Sequence, residues 1–340
     1  MRYALLAAAL SLTALPASAQ EVTLRLHHFL GATTPTHTEF LAPWAERVEQ
    51  ESGGRIAIEI YPSMTLGGRP PQLFDQARDG VVDISWTLLG YTPGRFPIAE
   101  LFELPFMGSD ATTTSIALQR FAEAHLGEEL AAVHVIGLHA PSAYKLHSAG
   151  PVASMQDLTG LKIRAPSRAM TDMLAELGAT AVGMPVPEVA QALTSGVIDG
   201  AILPWEMAGA MRIEELTPYH LEIGQENGGL ASSVMALVMN RDAYARLPDD
   251  LRAALDAHSG EALARFAGET WDRTEAETRA AQIAAGAIVT VLPEDEAARW
   301  RERAGVVSED WVRAMDRAGL DGQAMLDDAR RLIGEARDDR

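Results

Sequence analysis

The sequence predicts an α/β protein of two modules tied together by a long helix. Strand-like and helix-like segments alternate over residues 22–86 and again over 133–203, the pattern of largely parallel sheets covered by helices. A stretch of ~35 helix-favouring residues follows late in the chain, on the order of 50 Å long and more than one module of ordinary size can hold. The length of 340 residues suits two domains, and a chain of this size buries roughly three quarters of its unfolded surface.

At the start, Met1-Arg2 is positive, Ala4 to Leu15 is apolar, Pro16 breaks the run, and Ala17-Ser18-Ala19 has the small-x-small cleavage pattern of a secretory signal peptide. The apolar run is shorter than the ~20 residues needed to span a bilayer, so a soluble exported product is expected, cleaved near Ala19. Val22, Leu24 and Leu26 alternate as a first strand leading into His27-His28-Phe29. From His37 to Glu51, Phe40, Leu41, Trp44, Ala45 and Val48 recur at helical spacing, and Ser52-Gly53-Gly54 ends the helix. Ile56, Ile58 and Ile60 predict a strand, Pro71 to Gly80 a short helix, and Val81 to Trp86 another strand. In the second module, strands are expected over Val133–Leu138, Tyr144–His147, Leu161–Arg164 and Ile198–Leu203. Helices are expected over Met170–Leu177 and Val186–Leu193. A strand over Val234–Met239 precedes the long helix, which carries Leu251, Leu255, Ala262, Phe266 and Trp271 and runs to about Ala285. A strand over Ile288–Val291 and helices over Glu294–Met315 and Gln323–Ala336 close the chain. No Pro/Ser-rich linker divides the modules, so crossing strands should connect them, with the long helix bracing both.

Composition excludes several functions. An excess of 47 acidic over 28 basic residues gives a net charge of −19, the wrong field for nucleic acid or an anionic membrane surface. With no cysteine there is no disulfide framework, thiolate metal site or thiol nucleophile. Nucleophile-elbow, phosphate-loop, dinucleotide-fingerprint, zinc-protease and EF-hand motifs are all absent. His27, His28 and His37 form the one local histidine cluster, but neighbours on a strand face opposite ways and cannot easily share a metal. No cofactor or metal is expected.

Candidate binding residues sit at strand ends. Arg164 closes a strand just before Ala165-Pro166, where ligands of α/β sheets gather, and its planar, permanently charged guanidinium suits a carboxylate. It could equally pair with an acid across the surface. Pro204-Trp205-Glu206 ends another strand and could wall and polarise a pocket, or pack an indole in the core beside a solvated acid. Trp86 has the same two readings.

An ordered set of fragments resembles the DctP-type solute-binding proteins of tripartite ATP-independent periplasmic (TRAP) transporters. It comprises Ala45–Arg55, Ile58–Pro62, Leu66-Gly-Gly68, Gly80-Val-Val-Asp83, Phe102–Phe106, Asp157–Arg164, Leu177-Gly-Ala179, Pro187-Glu-Val189, Ala192-Leu193 and Gly196–Gly200. The resemblance spans roughly Val22 to Leu255. It implies an α/β, two-lobed, periplasmic-binding-protein-like clamshell with crossing hinge strands and a long helix bracing both lobes. Lobe I would comprise residues 20–144 and about 230–270, and lobe II residues 145–229 and about 271–340. It further implies a periplasmic receptor that closes on an organic anion and delivers it to the small and large membrane subunits of a TRAP permease. Arg164 falls on the family's carboxylate-binding arginine. Where many relatives place an Asn after the V-D-G turn, this chain has Leu203-Pro-Trp-Glu; where sialic-acid binders carry a second Arg, it has Tyr144 and Lys145. Lost polar partners and a gained indole point to a monocarboxylate with an apolar part.

The expected site is therefore Arg164 from the second lobe, His28, Phe29 and Trp86 from the first, and Tyr144, Trp205 and Glu206 near the hinge. Glu206 beside an anion could accept a hydrogen bond from a ligand hydroxyl, hold Arg164 or His28 in place, or help bind a cation. Only two lysines exist, Lys145 and Lys162, both within twenty residues of Arg164, so capture depends on a local reversal of the acidic field. Alternatives are a C4-dicarboxylate binder of the same family, a sensor that receives ligand without transport, and an exported α/β enzyme using Glu206 and His28.

Overall fold

The computed structural model describes residues 20–108, 110–224 and 229–339; the expected signal peptide lies outside them. The first lobe opens with β1 (Val22–His27), a π-helical coil over Thr36–Leu41, α1 (Ala42–Glu51), β2 (Ile56–Tyr61), α2 (Leu73–Arg78) and β3 (Ile84–Leu88). The strand expected from Val81 starts three residues later. Gly80 turns the chain at φ +71°, and the Asp83 carboxylate accepts the Arg25 N–H at 2.9 Å, which holds residues 81–83 as an entry turn. Next comes α3 (Ala111–His125), whose Ala-Thr-Thr-Thr-Ser start has no apolar stripe and left no helical signal in the sequence. It is buried along most of its length, because the helices over Gly260–Ala284 and Gly322–Asp338 cover the flanks that the strand over His134–His139 leaves open.

The chain then alternates through β4 (His134–His139), β5 (Lys145–Ser148), α4 (Met155–Leu158), β6 (Lys162–Ala165), α5 (Arg168–Glu176), β7 (Thr180–Gly183), α6 (Val189–Thr194), β8 (Gly200–Leu203), α7 (Trp205–Ala210) and β9 (Tyr219–Glu222). It ends with β10 (Met235–Met239), α8 (Arg241–Arg246), α9 (Asp249–Asp256), α10 (Gly260–Ala284), β11 (Ile288–Val291), α11 (Glu294–Arg317) and α12 (Gly322–Asp338).

Two sheets result, ordered β2-β1-β3-β10-β4 and β11-β9-β5-β8-β6-β7. Each contains one antiparallel strand that adjoins the connections between the sheets: β10 lies antiparallel between β3 and β4, and β5 lies antiparallel between β9 and β8. The connections run through residues 140–144 and back through 229–234, and they bond to each other where they cross. Tyr144 N–H donates to Ala231 O at 2.8 Å, and Leu230 N–H to Tyr144 O at 3.4 Å. This is the crossing hinge that the absence of a linker predicted.

The long helix is shorter than expected. α9 stops at Asp256, the Ser259 hydroxyl donates to Leu255 O at 2.8 Å, Ser259 is extended, and Gly260 takes φ +60°. The Trp44 indole N–H donates to the freed His258 carbonyl at 2.9 Å, fixing the break. The remaining 25 residues of α10 still span ~37 Å. Its first half crosses α3 so closely that a Cβ on Gly268 would lie 2.4 Å from Thr112 Cα. One turn on, Asp272 accepts Ala111 N–H (2.7 Å) and Thr112 N–H (3.1 Å), capping α3 from outside. The second half reaches α7 and β9, where Arg279 pairs with Glu222 at 2.7 Å.

The last helices depart from the expected grouping of residues 271–340 with the second lobe. Trp300 of α11 packs in the second-lobe core with Leu146 and Ile163. Trp311 and Met315 of the same helix, and Leu326 and Leu332 of α12, pack with Phe121 of the first. α11 thus crosses between lobes, and α12 belongs on α3.

Candidate functional site

The carboxyl ends of β1, β3, β6 and β8 converge on a cavity between the two sheets. Strand β1 runs on into Phe29, β3 carries Trp86 and Leu88, β6 carries Arg164, and β8 ends at Leu203-Pro204.

The first-lobe side is aromatic. Phe29 and Trp86 stack at 5.0 Å, and Tyr91 meets Phe29 at 5.5 Å. His139 holds the indoles: its Nε2 lies 2.9 Å from Trp86 Nε1 and its Nδ1 lies 3.0 Å from Trp271 Nε1. A neutral imidazole has one acceptor nitrogen, so one indole N–H donates to it at a time. Burial keeps it neutral by pushing its pKa down to about 3. Thr36, at the start of the π-helical coil, also lines the cavity.

The second-lobe side carries charge. Arg164 is 1% exposed; its Nε–H donates to Met184 O at 2.9 Å and its Nη1–H to Ile202 O at 3.3 Å. Those carbonyls orient the fork without neutralising it. Tyr91 hydrogen-bonds the same guanidinium; burial pushes the phenol's pKa up while the positive charge opposes the rise. Among the described residues no carboxylate forms an ion pair with Arg164, so a permanent cation is buried without a counter-ion. An uncompensated buried ion costs several kcal/mol, and an anionic ligand carboxylate removes that cost while accepting the remaining N–H groups.

Tyr144 reaches the cavity from the crossing strand, its hydroxyl 2.8 Å from Ser233 Oγ. Glu206, in the first turn of α7, is 2% exposed on the cavity wall. Its carboxyl is hydrogen-bonded to that of Glu275, which is ion-paired with Lys145. Burial first, and the neighbouring Glu275 second, hold Glu206 protonated far above the usual carboxylate range.

Of the expected residues the structure brings Arg164, Glu206, Phe29, Trp86 and Tyr144 to one cavity. Trp205 and His28 do not reach it. Successive helical residues point about 100° apart, so when Glu206 faces the cavity Trp205 turns into the core. There Trp205 is fully buried, donates its indole N–H to Glu222 Oε1 at 2.7 Å and meets His147 edge-on. In extended chain, Phe29 takes the cavity side and His28 the other. The His28 Nδ1 accepts Leu30 N–H at 3.2 Å and its Nε2–H donates to His37 Nδ1 at 3.0 Å, so it braces Trp86 from behind. Sequence reading missed Tyr91, His139 and Trp271. A strand read as stopping at Trp86 hid Tyr91, and His139 and Trp271 lie on elements whose periodicity signals burial alone.

Contacts join the lobes around this cavity. Val186 N–H donates to Tyr91 Oη at 2.9 Å, Arg168 pairs with Glu100 at 2.7 Å, and Arg69 with Glu188 at 3.4 Å. The cleft is closed.

Residues 26–314 match the family model DctP, bacterial extracellular solute-binding protein, family 7. A TRAP solute binding protein from Rhodoferax ferrireducens T118, in complex with copurified benzoate, is similar at 40% identity and TM-score 0.91, over 93% of this chain and 98% of that one. A marine metagenome TRAP protein specific for aromatic acid ligands, in complex with 3-hydroxybenzoate, is 41% identical at TM-score 0.91, over 94% and 99%. The C4-dicarboxylate-binding periplasmic protein DctP of Rhodobacter capsulatus is 27% identical over 87% of this chain and 88% of its own. The chain belongs to the DctP family of extracellular solute-binding proteins and is a solute-binding receptor of the TRAP type. Among the described residues no helix is long and apolar enough to cross a membrane.

Proposed function

We propose that this receptor captures an aromatic monocarboxylate of benzoate to phenylacetate size and presents it to the small and large membrane subunits of a TRAP permease. It would act in the periplasm after removal of the segment ending near Ala19. The observation that carries this reading is Arg164, a buried guanidinium that no carboxylate pairs among the described residues, at one end of a cavity lined on its first-lobe side by Phe29, Trp86 and Tyr91. One carboxylate satisfies the guanidinium and a flat ring fills the aromatic side. Relatives of 40% and 41% identity are described with benzoate and 3-hydroxybenzoate, which supports the same chemistry here.

A C4-dicarboxylate fits less well. Arg164 is the one cation lining the cavity among the described residues, and Lys145 is taken up by Glu275. The enzymatic alternative needs Glu206 and His28 in reach of one substrate, whereas His28 faces His37. Lobe I would comprise the β1–β4 and β10 sheet with α12, and lobe II the β5–β9 and β11 sheet, with α10 and α11 spanning both. Closure follows from differential affinity: a ligand touching both lobes favours the closed form by what it gains there over the open one. Thermal unfolding with benzoate, mandelate, 3-hydroxyphenylacetate, succinate and malate at equal concentration tests the reading. The aromatic acids should raise the midpoint; a larger rise with succinate or malate rejects it.

A further inference from the structure

Glu206 has one oxygen accounted for and one that is not. Its carboxyl bonds to Glu275, while Oε2 is buried with no hydrogen-bond partner. Two groups decide where the proton of this pair resides. Lys145, from β5, is ion-paired with the Glu275 carboxylate. The Glu206 backbone N–H also donates to Glu275 Oε2 at 3.2 Å, adding a second donor to the same acid. Glu206 is therefore the neutral partner and gives its proton to Glu275. That leaves Oε2 as a carbonyl-type oxygen, able to accept a hydrogen bond and unable to donate one. It belongs to a side chain 2% exposed that lines the same cavity as Arg164.

An unmade hydrogen bond at a buried acceptor is destabilising, and a ligand group that supplies it gains affinity. We propose that Glu206 Oε2 is an acceptor subsite for a hydroxyl carried by the ligand on its ring or side chain, away from the carboxylate held by Arg164. The proposal rests on the aromatic monocarboxylate reading and narrows it to hydroxylated acids. Arg164 selects the anion, the aromatic wall selects the ring, and Glu206 separates a hydroxylated acid from its unsubstituted parent. The two other roles open to Glu206 find no support in its contacts. Arg164 and His28 are each held by other groups. The Lys145 ammonium supplies the positive charge beside the acid pair, and no cluster of three metal-ligating side chains exists among the described residues.

Two substitutions separate acceptor from acid. Glu206→Gln retains the geometry, since the amide N–H₂ can donate to Glu275 and the amide oxygen takes the place of Oε2. Glu206→Leu removes the acceptor. Calorimetric titrations with benzoate, 3-hydroxybenzoate and 4-hydroxybenzoate read the effect as a ratio of dissociation constants within each protein, so that a general loss of stability cancels. In the unsubstituted protein at least one hydroxybenzoate should bind about tenfold more tightly than benzoate. Glu206→Gln should keep that ratio, and Glu206→Leu should bring it to about one. A ratio that survives in Glu206→Leu, or vanishes in Glu206→Gln, overturns the subsite while leaving aromatic acid binding intact. Absence of binding by all three acids to the unsubstituted protein overturns the aromatic acid reading and the subsite with it.

Discussion

The two lobes begin their site-facing strands alike and finish them differently. Gly80-Val-Val-Asp-Ile84 and Gly196-Val-Ile-Asp-Gly200 are the same turn built twice. The glycines take φ +71° and +68°, Val81 and Val197 are exposed, and Val82 and Ile198 are buried. The Asp83 carboxylate accepts Arg25 N–H at 2.9 Å on β1, and that of Asp199 accepts Lys162 N–H at 2.8 Å on β6. Each aspartate thereby sets the start of one strand against its parallel neighbour. At the far ends the likeness stops: the first lobe delivers Phe29 and Trp86, the second delivers Arg164 and Glu206. The turns serve the fold and the strand ends serve recognition. With the aromatic surface on one lobe and the charge on the other, only a ligand that has both contacts both.

The largest effect should come from the charged side. Replacing Arg164 with Met should weaken benzoate binding by about 2–5 kcal/mol, the usual loss when one member of a buried hydrogen-bonded charge pair is removed. Titration calorimetry reads this directly, and unchanged affinity removes Arg164 from the site. On the aromatic side, Trp86→Ala deletes a ring that is 2% exposed and stacked on Phe29, and should cost about 1–3 kcal/mol of the same affinity. A loss equal to that of Arg164→Met would mean the ring positions the guanidinium as well.

The seam between the lobes gives a smaller, pH-dependent effect. Glu103 accepts Val234 N–H at 3.2 Å beside the seam; burial pushes its pKa up to about 8. The folded state therefore keeps a proton that the unfolded chain releases near pH 4.5, so this group's contribution falls as pH rises from about 4.5 to about 8. Glu103→Gln should gain on the unsubstituted protein by about 1 kcal/mol between pH 6 and pH 7 in urea unfolding. A gap that does not change with pH contradicts a buried neutral acid. The smallest effect belongs to Arg168→Ala. Its pair with Glu100 crosses the seam with the arginine side chain 47% exposed, and should be worth about 0.2–1 kcal/mol, a few-fold in benzoate affinity.

These contrasts also explain what was legible in the sequence. The alternating isoleucines of β2 and the parallel strand, helix, strand order carried the sheets, because burial of one face of β2 leaves an alternating apolar record. Helix α3 escaped because Thr and Ser fill the buried positions of its first turns, which leaves no apolar stripe to read. The break at His258–Gly260 escaped because helix propensity is nearly continuous there and the Trp44 indole that fixes the break lies 214 residues earlier in the chain. Within the site, Arg164 was legible as a charge at a strand end. Trp205 and Glu206 were read as one unit, and only the helical turn at their position sends one to the cavity and the other to the core. Lys145, read as a local positive field for the ligand, is spent on Glu275 instead.

The central claim is that charge and ring must arrive together from one ligand to close the cleft. Small-angle X-ray scattering of the unsubstituted protein with saturating benzoate, with acetate as the charge alone, and with benzyl alcohol as the ring alone tests it directly. Benzoate should reduce the radius of gyration, while acetate and benzyl alcohol leave it at the ligand-free value. Equal compaction with either fragment on its own would contradict the account.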